Sequence, residues 1–356
     1  MAPAPVFGVN ARSVSLVPSA SASAPNPAPD PAAPAAPGSG PASAALPVPV
    51  STLPALAPGS AVCVVTTSYP ADDADPAGHF VKAEVEELLR AGHTVKVVTP
   101  RAGGAFGWPG AAFRLREKPW RAVEAATWMA RARAEIRACR PDYVIAHWSV
   151  PSAWPVLTVS GLDHVPLEIV SHGGDIRLIA ALPAAVRRRV VASLLGRARA
   201  WRFVSTPLLE KLAEVLDPAD AAKLRAMAII APSPLEILDV EDDVRERRSA
   251  LGSRTLYVCA GRLVRSKRVD RVIDYVAGHR ADKPILVVIG DGPERARLER
   301  LAERWQIDVR FLGNRPRRET LTWIGAADEL VHASIAEGMS TVVREAEHLG
   351  VKITML

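Results

Sequence analysis

Two cations five positions apart, Arg262 and Lys267, stand directly after an apolar, β-branched run and lead into a helical pattern. A departing nucleoside diphosphate concentrates negative charge on its phosphate oxygens, which must be met by fixed cations, backbone N–H donors or a metal. An arginine fork grips two such oxygens and a lysine adds a point charge. Two glutamates eight positions apart, Glu337 and Glu345, follow in the same half of the chain. Carboxylates accept hydroxyl protons well, so Glu337 suits sugar hydroxyls and Glu345 a ribose diol. Gly338, Met339 and Ser340 open the helix between them, where free N–H groups cradle phosphate and Gly338 allows close backbone approach. Gly261 follows one strand, and Gly290-Asp291-Gly292-Pro293 turns another into a helix, so Gly261, Gly290 and Gly292 are candidates for contact with the donor. Singly, each feature also reads as a solvated basic loop, a capped surface helix or an ordinary turn. Their order, each at a strand exit, carries the chemical reading.

The first half of the chain offers its own candidates. Gly78-His79-Phe80 opens a helix after a loop that overhangs the strand ends, with Gly78 able to approach phosphate or sugar. His147 ends one apolar run, and His172 ends the next, followed by Gly173-Gly174-Asp175. Two histidines at neighbouring strand exits, with Asp175 close by, are placed to hydrogen-bond a substrate, as readily as to serve the fold. Asp72-Asp73-Ala74-Asp75 lacks a second ligand cluster, so it reads as a solvated loop and no metal is expected. The stretch 183–200 sets Arg187, Arg188, Arg189, Arg197 and Arg199 beside Val190, Val191, Leu194 and Leu195. Such a helix fits an anionic membrane surface or a plain boundary between core and solvent.

Short β-branched runs alternating with longer amphipathic stretches must position these residues, a pattern of parallel sheets with crossover helices. The first set runs near 62–67, 94–99, 143–147, 168–172, 202–205 and 228–231. The second runs near 255–260, 285–289, 309–312 and 329–332, with one more strand begun at 351–356. The fold class is therefore α/β, two Rossmann-like domains facing a cleft, the second incomplete. Residues 1–59, mostly Ala, Pro and Ser, cannot build a core and read as a disordered tail. The domains are expected at 60–231 and 253–356, joined by a linker at 232–252 whose prolines and acidic cluster break the periodicity. Ligands of open parallel sheets bind beyond the carboxyl ends of the strands.

The 356 residues, 49% hydrophobic and 23% charged, suffice for two cores. A net charge of +6 suits anionic partners. No compact basic tract interleaved with aromatics is present, so nucleic acid is not an expected partner. Three scattered cysteines fit a reducing cytoplasm, and no apolar stretch is long enough to span a bilayer.

With these residues in hand, the chain resembles the retaining GT-B glycosyltransferases of family GT4, over roughly residues 61–351. The motifs are Gly261-Arg262-Leu263-Val264 with Lys267, Gly290-Asp291-Gly292-Pro293, Phe311-Leu312-Gly313 and the Glu337/Glu345 pair. The resemblance implies hexosyltransferase-like, metal-independent transfer from a nucleotide-sugar to an unidentified acceptor, with retained configuration and no cofactor. It assigns the diphosphate to Arg262, Lys267 and the N–H groups after Gly338, the donor sugar to Glu337 and the ribose to Glu345. Gly78, His147 and His172 would line the acceptor side. Arg268 departs from the family's glycine after the lysine. The family also continues past Gly350 with further elements, so an inactive shortened remnant is a competing expectation, and a sugar-nucleotide epimerase a third. The loop 102–119, with Phe106, Trp108 and Phe113, would suit an apolar or lipid-linked acceptor.

Overall fold

A computed structural model describes residues 56–356 except 73, 74, 76, 102–104, 107–110, 237 and 335–339. Strands β1 (Ala61–Thr66), β2 (Thr94–Val98), β3 (Tyr143–His147), β4 (Leu167–Ser171), β5 (Ala200–Phe203) and β6 (Ala228–Ile230) form one parallel sheet ordered β2-β1-β3-β4-β5-β6. Strands β7 (Leu256–Ala260), β8 (Ile285–Ile289), β9 (Asp308–Gly313), β10 (Glu329–His332) and β11 (Lys352–Met355) form a second, ordered β11-β10-β7-β8-β9. Each run singled out in the sequence becomes a strand, its ends shifted by a residue or two. The strand begun near 351 pairs with β10 at the sheet edge. The order switches between β1 and β3 and between β7 and β10, and the loops leaving a switch point part to form a crevice.

Helices cover both faces of the first sheet, as a parallel sheet requires. Cys63, Val65, Val144, Ala146, Leu167 and Ile169 pack on one side with Trp128, Ile136 and Leu194. Their neighbours Val62, Val64, Ile145 and Val170 pack on the other with Val81 and Val85. Leu56 joins this second cluster, so the end of segment 1–59 belongs to the first lobe; residues 1–55 lie outside the described part.

The expected linker is part helix. Glu241–Leu251 packs on the second lobe: Val244 and Leu251 join its core, and Arg247 lies over the Trp323 ring, 4.2 Å from its centroid. Few apolar positions mark this helix in sequence, and its acidic start conceals them.

The exits of β7 and β8 are locked by backbone. Gly261 N–H donates to the Ile289 carbonyl at 2.9 Å, and Leu263 N–H to that of Asp291 at 2.9 Å. Glu294 N–H returns to Leu263 O at 3.0 Å. A Cβ on Gly290 would lie 2.1 Å from Gly261 O, and one on Gly292 2.5 Å from Leu263 O. These two glycines, expected to approach the donor, instead let the chain approach itself.

Gly290→Ala combines this clash with φ +121°, so a loss of about 3 kcal/mol or more is expected. Gly92→Ala, at φ +86° with no atom within 4 Å of the added carbon, should cost about 1 kcal/mol. Urea unfolding of both variants checks this, and equal losses would show that the two loops part without resistance.

Candidate functional site

Arg262 is held between two locked residues, and Lys267 ends the short turn Arg265–Lys267 that follows. Their neighbour Arg268 has φ 48° and ψ 44°, a left-handed conformation that suits glycine and costs other residues about 1 kcal/mol. The family's glycine at this position thus has a backbone reason, and Arg268 adopts the same geometry. Burial, Arg262 and Arg177 together push the Lys267 ammonium down to about 8, against a slighter upward pull from Cys259. Burial and Arg177 likewise lower Arg262. Arg177 lies on the helix Gly174–Ala180 of the first lobe, so cations from both lobes share one field. His332, at the β10 exit, is pushed down to about 4 by burial and by Lys267. Neither Arg177 nor His332 stood out in sequence, because neither lies in a motif.

Glu337, Gly338 and Met339 lie outside the described residues. Ser340 precedes the helix Thr341–His348 as expected, and its carbonyl accepts from Arg344 N–H at 3.3 Å. Glu345 is buried: its Oε1 lies 2.8 Å from Arg317 Nη2 and 3.6 Å from Nε2 of His79 in the first lobe. Burial opposes its charge, yet His79 and Arg317 hold the carboxyl below its ordinary value. A residue expected to face ribose is therefore also an inter-lobe link.

The first-lobe candidates are turned inward. His147 Nδ1 lies 3.0 Å from His172 Nε2, and the rings stack at 14° with centroids 5.3 Å apart. His147 Nε2 faces Glu84 Oε2 at 3.7 Å, and His172 Nδ1 faces Ser233 Oγ at 3.5 Å. With all four ring nitrogens directed at protein groups, neither ring points a nitrogen at a substrate in this arrangement, against expectation. Burial and Arg202 drive His147 well below its ordinary value; burial, His147 and Arg202 do the same to His172. Asp175, expected on the acceptor side, likewise faces inward. It is buried, with Oδ2 accepting from Ser149 N–H at 2.9 Å and Ser149 Oγ at 2.8 Å. Its Oδ1 accepts from the N–H groups of His172 at 3.2 Å and Gly173 at 3.0 Å, clamping two strand-exit loops together. Gly78 has the same self-directed role as Gly290: a Cβ there would lie 2.1 Å from Ser68 O. Phe106 packs edge-on against Trp128 at 5.0 Å, facing the core rather than an acceptor.

Beneath the histidines, Arg202 on β5 is a cation between two carboxylates. It bonds Glu84, and its Nε lies 2.7 Å from Glu168 Oε1. Burial opposes the Arg202 charge, but Glu84 and Glu168 outweigh it and raise its pKa. Burial raises Glu168, only partly offset by Arg202. Tyr143 donates to Glu168 Oε2 at 3.1 Å.

Two family models match the chain, one in each lobe: Glycosyltransferase Family 4 over residues 77–234 and Glycosyl transferases group 1 over 241–353. Together they mark the chain as a GT4-type glycosyltransferase. This glycosyltransferase is 24% identical over 327 residues to a Bacillus subtilis (strain 168) glycosyltransferase named for teichuronic acid biosynthesis, covering 81% of this chain and 79% of that one. Its fold is that of Anabaena HepE solved with UDP and glucose (TM-score 0.56, 17% identity, 82% of this chain and 79% of the other). Arabidopsis thaliana starch synthase IV, bound to ADP and acarbose, shares it too (TM-score 0.61, 15% identity, 83% of each chain). These are GT-B architectures, as expected of the two facing Rossmann-like sheets.

Replacing Arg202 by Met would leave two buried carboxylates without their cation, and a loss of about 3 to 5 kcal/mol at pH 7 is expected. Burial already raises the Glu168 carboxyl, and without Arg202 it rises further above its unfolded value, so the folded form binds protons more readily and the deficit shrinks toward pH 5. Urea unfolding at both pH values checks the sign, and a deficit that grew on acidification would overturn it.

Proposed function

We propose that this glycosyltransferase moves a sugar, with retention of configuration, from a nucleotide-sugar whose diphosphate lies against Arg262 and Lys267, aided by Arg177. The observation that carries this is the convergence of Arg262, Lys267 and Arg177, from both lobes, at the β7 exit. Burial and, after it, the like charges there depress Lys267 to about 8. A fold that gathers cations against their mutual repulsion is preorganised for a multivalent anion. Retention requires the acceptor hydroxyl to attack from the face the diphosphate leaves. The sugar C1–O bond to phosphate breaks, the C1–O bond to acceptor forms, and the hydroxyl proton passes to the adjacent leaving oxygen. The cations meet the charge that develops there, a role that calls for no resident metal.

Glu345, oriented by Arg317 at 2.8 Å, is assigned to the ribose. Glu337 and the N–H groups after Gly338 are assigned to the donor sugar and diphosphate on the strength of the family resemblance. The acceptor side is assigned to the cleft wall of the first lobe, with His147 and His172 shaping it from behind rather than bonding the acceptor. Membrane contact through Ala184–Arg197 draws less support than its composition suggests. Arg187 donates to the carbonyls of Ala180 and Leu182, and Arg197 to those of Leu162 and Val165, so both are engaged in the fold. Among the described residues no helix is long and apolar enough to cross a membrane.

Calorimetric titration with UDP, GDP and ADP tests the donor site. One nucleotide is expected to bind, and Arg262→Ala should weaken it at least about tenfold. Near pH 8.5, before nucleotide binds, Lys267 is mostly neutral, so bound diphosphate, by raising its pKa, should draw in a proton. The heat would then depend on the ionisation enthalpy of the buffer, and Lys267→Arg should bind without that dependence. Failure of all three nucleotides to bind the folded protein would sink the reading.

A further inference from the structure

The buried polar groups of the first lobe form a line with a direction. Arg202 holds the Glu84 carboxylate on the helix His79–Arg90. Glu84 Oε2 faces His147 Nε2 at 3.7 Å, longer than a hydrogen bond, and neither atom has a hydrogen-bond partner among the described residues. A carboxylate only accepts, so a ring lone pair turned toward it would be repelled and an N–H attracted. A neutral imidazole carries one N–H, and burial beside Arg202 keeps both rings neutral. With the hydrogen on His147 Nε2, its Nδ1 must accept, and His172 Nε2, at 3.0 Å, must donate. His172 Nδ1 is then the acceptor for Ser233 Oγ at 3.5 Å. Ser233 stands in the segment between β6 and the helix Glu241–Leu251, and its carbonyl accepts from Arg344 of the second lobe at 2.5 Å.

We propose that Glu84 sets the tautomers of both histidines and through them commits the Ser233 hydroxyl proton inward, making Glu84 a positioning residue for the segment that joins the lobes. The relay transfers no proton; it fixes which atom of each pair carries one. The Ser233 oxygen is left able only to accept from any further donor, beside a carbonyl already holding the Arg344 cation. The inference does not rest on the sugar-transfer reading.

Glu84→Gln reverses the relay with almost no change of shape. Arg202 claims the amide oxygen, which turns the NH2 group toward His147 Nε2. That nitrogen must then accept, so the hydrogen moves to Nδ1 of His147 and in turn to Nδ1 of His172. The test is 15N NMR of the full chain with ring-labelled histidine, assigned residue by residue. The native protein should show Nε2–H on both rings, Glu84→Gln should show Nδ1–H on both, and Ser233→Ala should keep the native pattern. An Nδ1–H on either ring of the native protein, unchanged tautomers in Glu84→Gln, or reversal in Ser233→Ala would each overturn the proposal. If Glu84→Gln does not fold, the native and Ser233→Ala spectra still decide it.

Discussion

Backbone hydrogen bonds between the loops leaving β7 and β8 fix the point from which the second lobe presents its charge. Arg262 sits between Gly261 and Leu263, each bonded to the neighbouring loop, so its main chain is pinned on both sides. Lys267 follows through a turn closed by its own N–H to Val264 O at 3.0 Å. The approach needs Gly290, where any side chain would meet the Gly261 carbonyl. Rigid placement keeps like charges together although they repel, and the lowered Lys267 pKa reflects burial first and that repulsion second. Charge arranged before a ligand arrives needs no reorganisation when it does.

The two lobes treat charge differently. In the second, cations gather at the β7 exit, where the cleft opens. In the first, charge is drawn inward: Arg202, Glu84 and Glu168 compensate one another beneath the sheet's carboxyl edge, and the histidines above them stay neutral. Arg202 contributes to both effects, since the cation that stabilises two carboxylates also disfavours a charged imidazole nearby. The helix carrying Arg177 then brings the first lobe into the cationic field around Arg262.

The lobes meet through buried or half-buried polar groups rather than a shared apolar core. Glu345 reaches His79, Ser233 touches His172 with its side chain and Arg344 with its carbonyl, and Arg317 bonds both Glu345 and the Glu236 carbonyl. Polar contacts of this kind hold a relative position without the large apolar burial that would freeze it. Residues expected at the ligand thus serve partly to set the cleft.

The strands were legible in the sequence because β-branched runs in covered parallel sheets are nearly continuous, and the family was legible because its motifs sit at strand exits. The helix Glu241–Leu251 was not, since its buried side is little more than Val244 and Leu251. Arg262 and Lys267 were correctly paired in space because five residues and one turn separate them. What Gly290, Gly292, Gly78 and Asp175 do was misread, because motif spacing says that a glycine or carboxylate is needed but not whether a ligand or the chain itself approaches it. Arg177, His332, Glu84 and Arg202 left no local signal at all. By itself the sequence determined the two sheets, the family and the local cation pair, all products of short-range pattern. Only the tertiary structure decided which way each polar group faces, because burial and opposing charge act between residues that are distant along the chain.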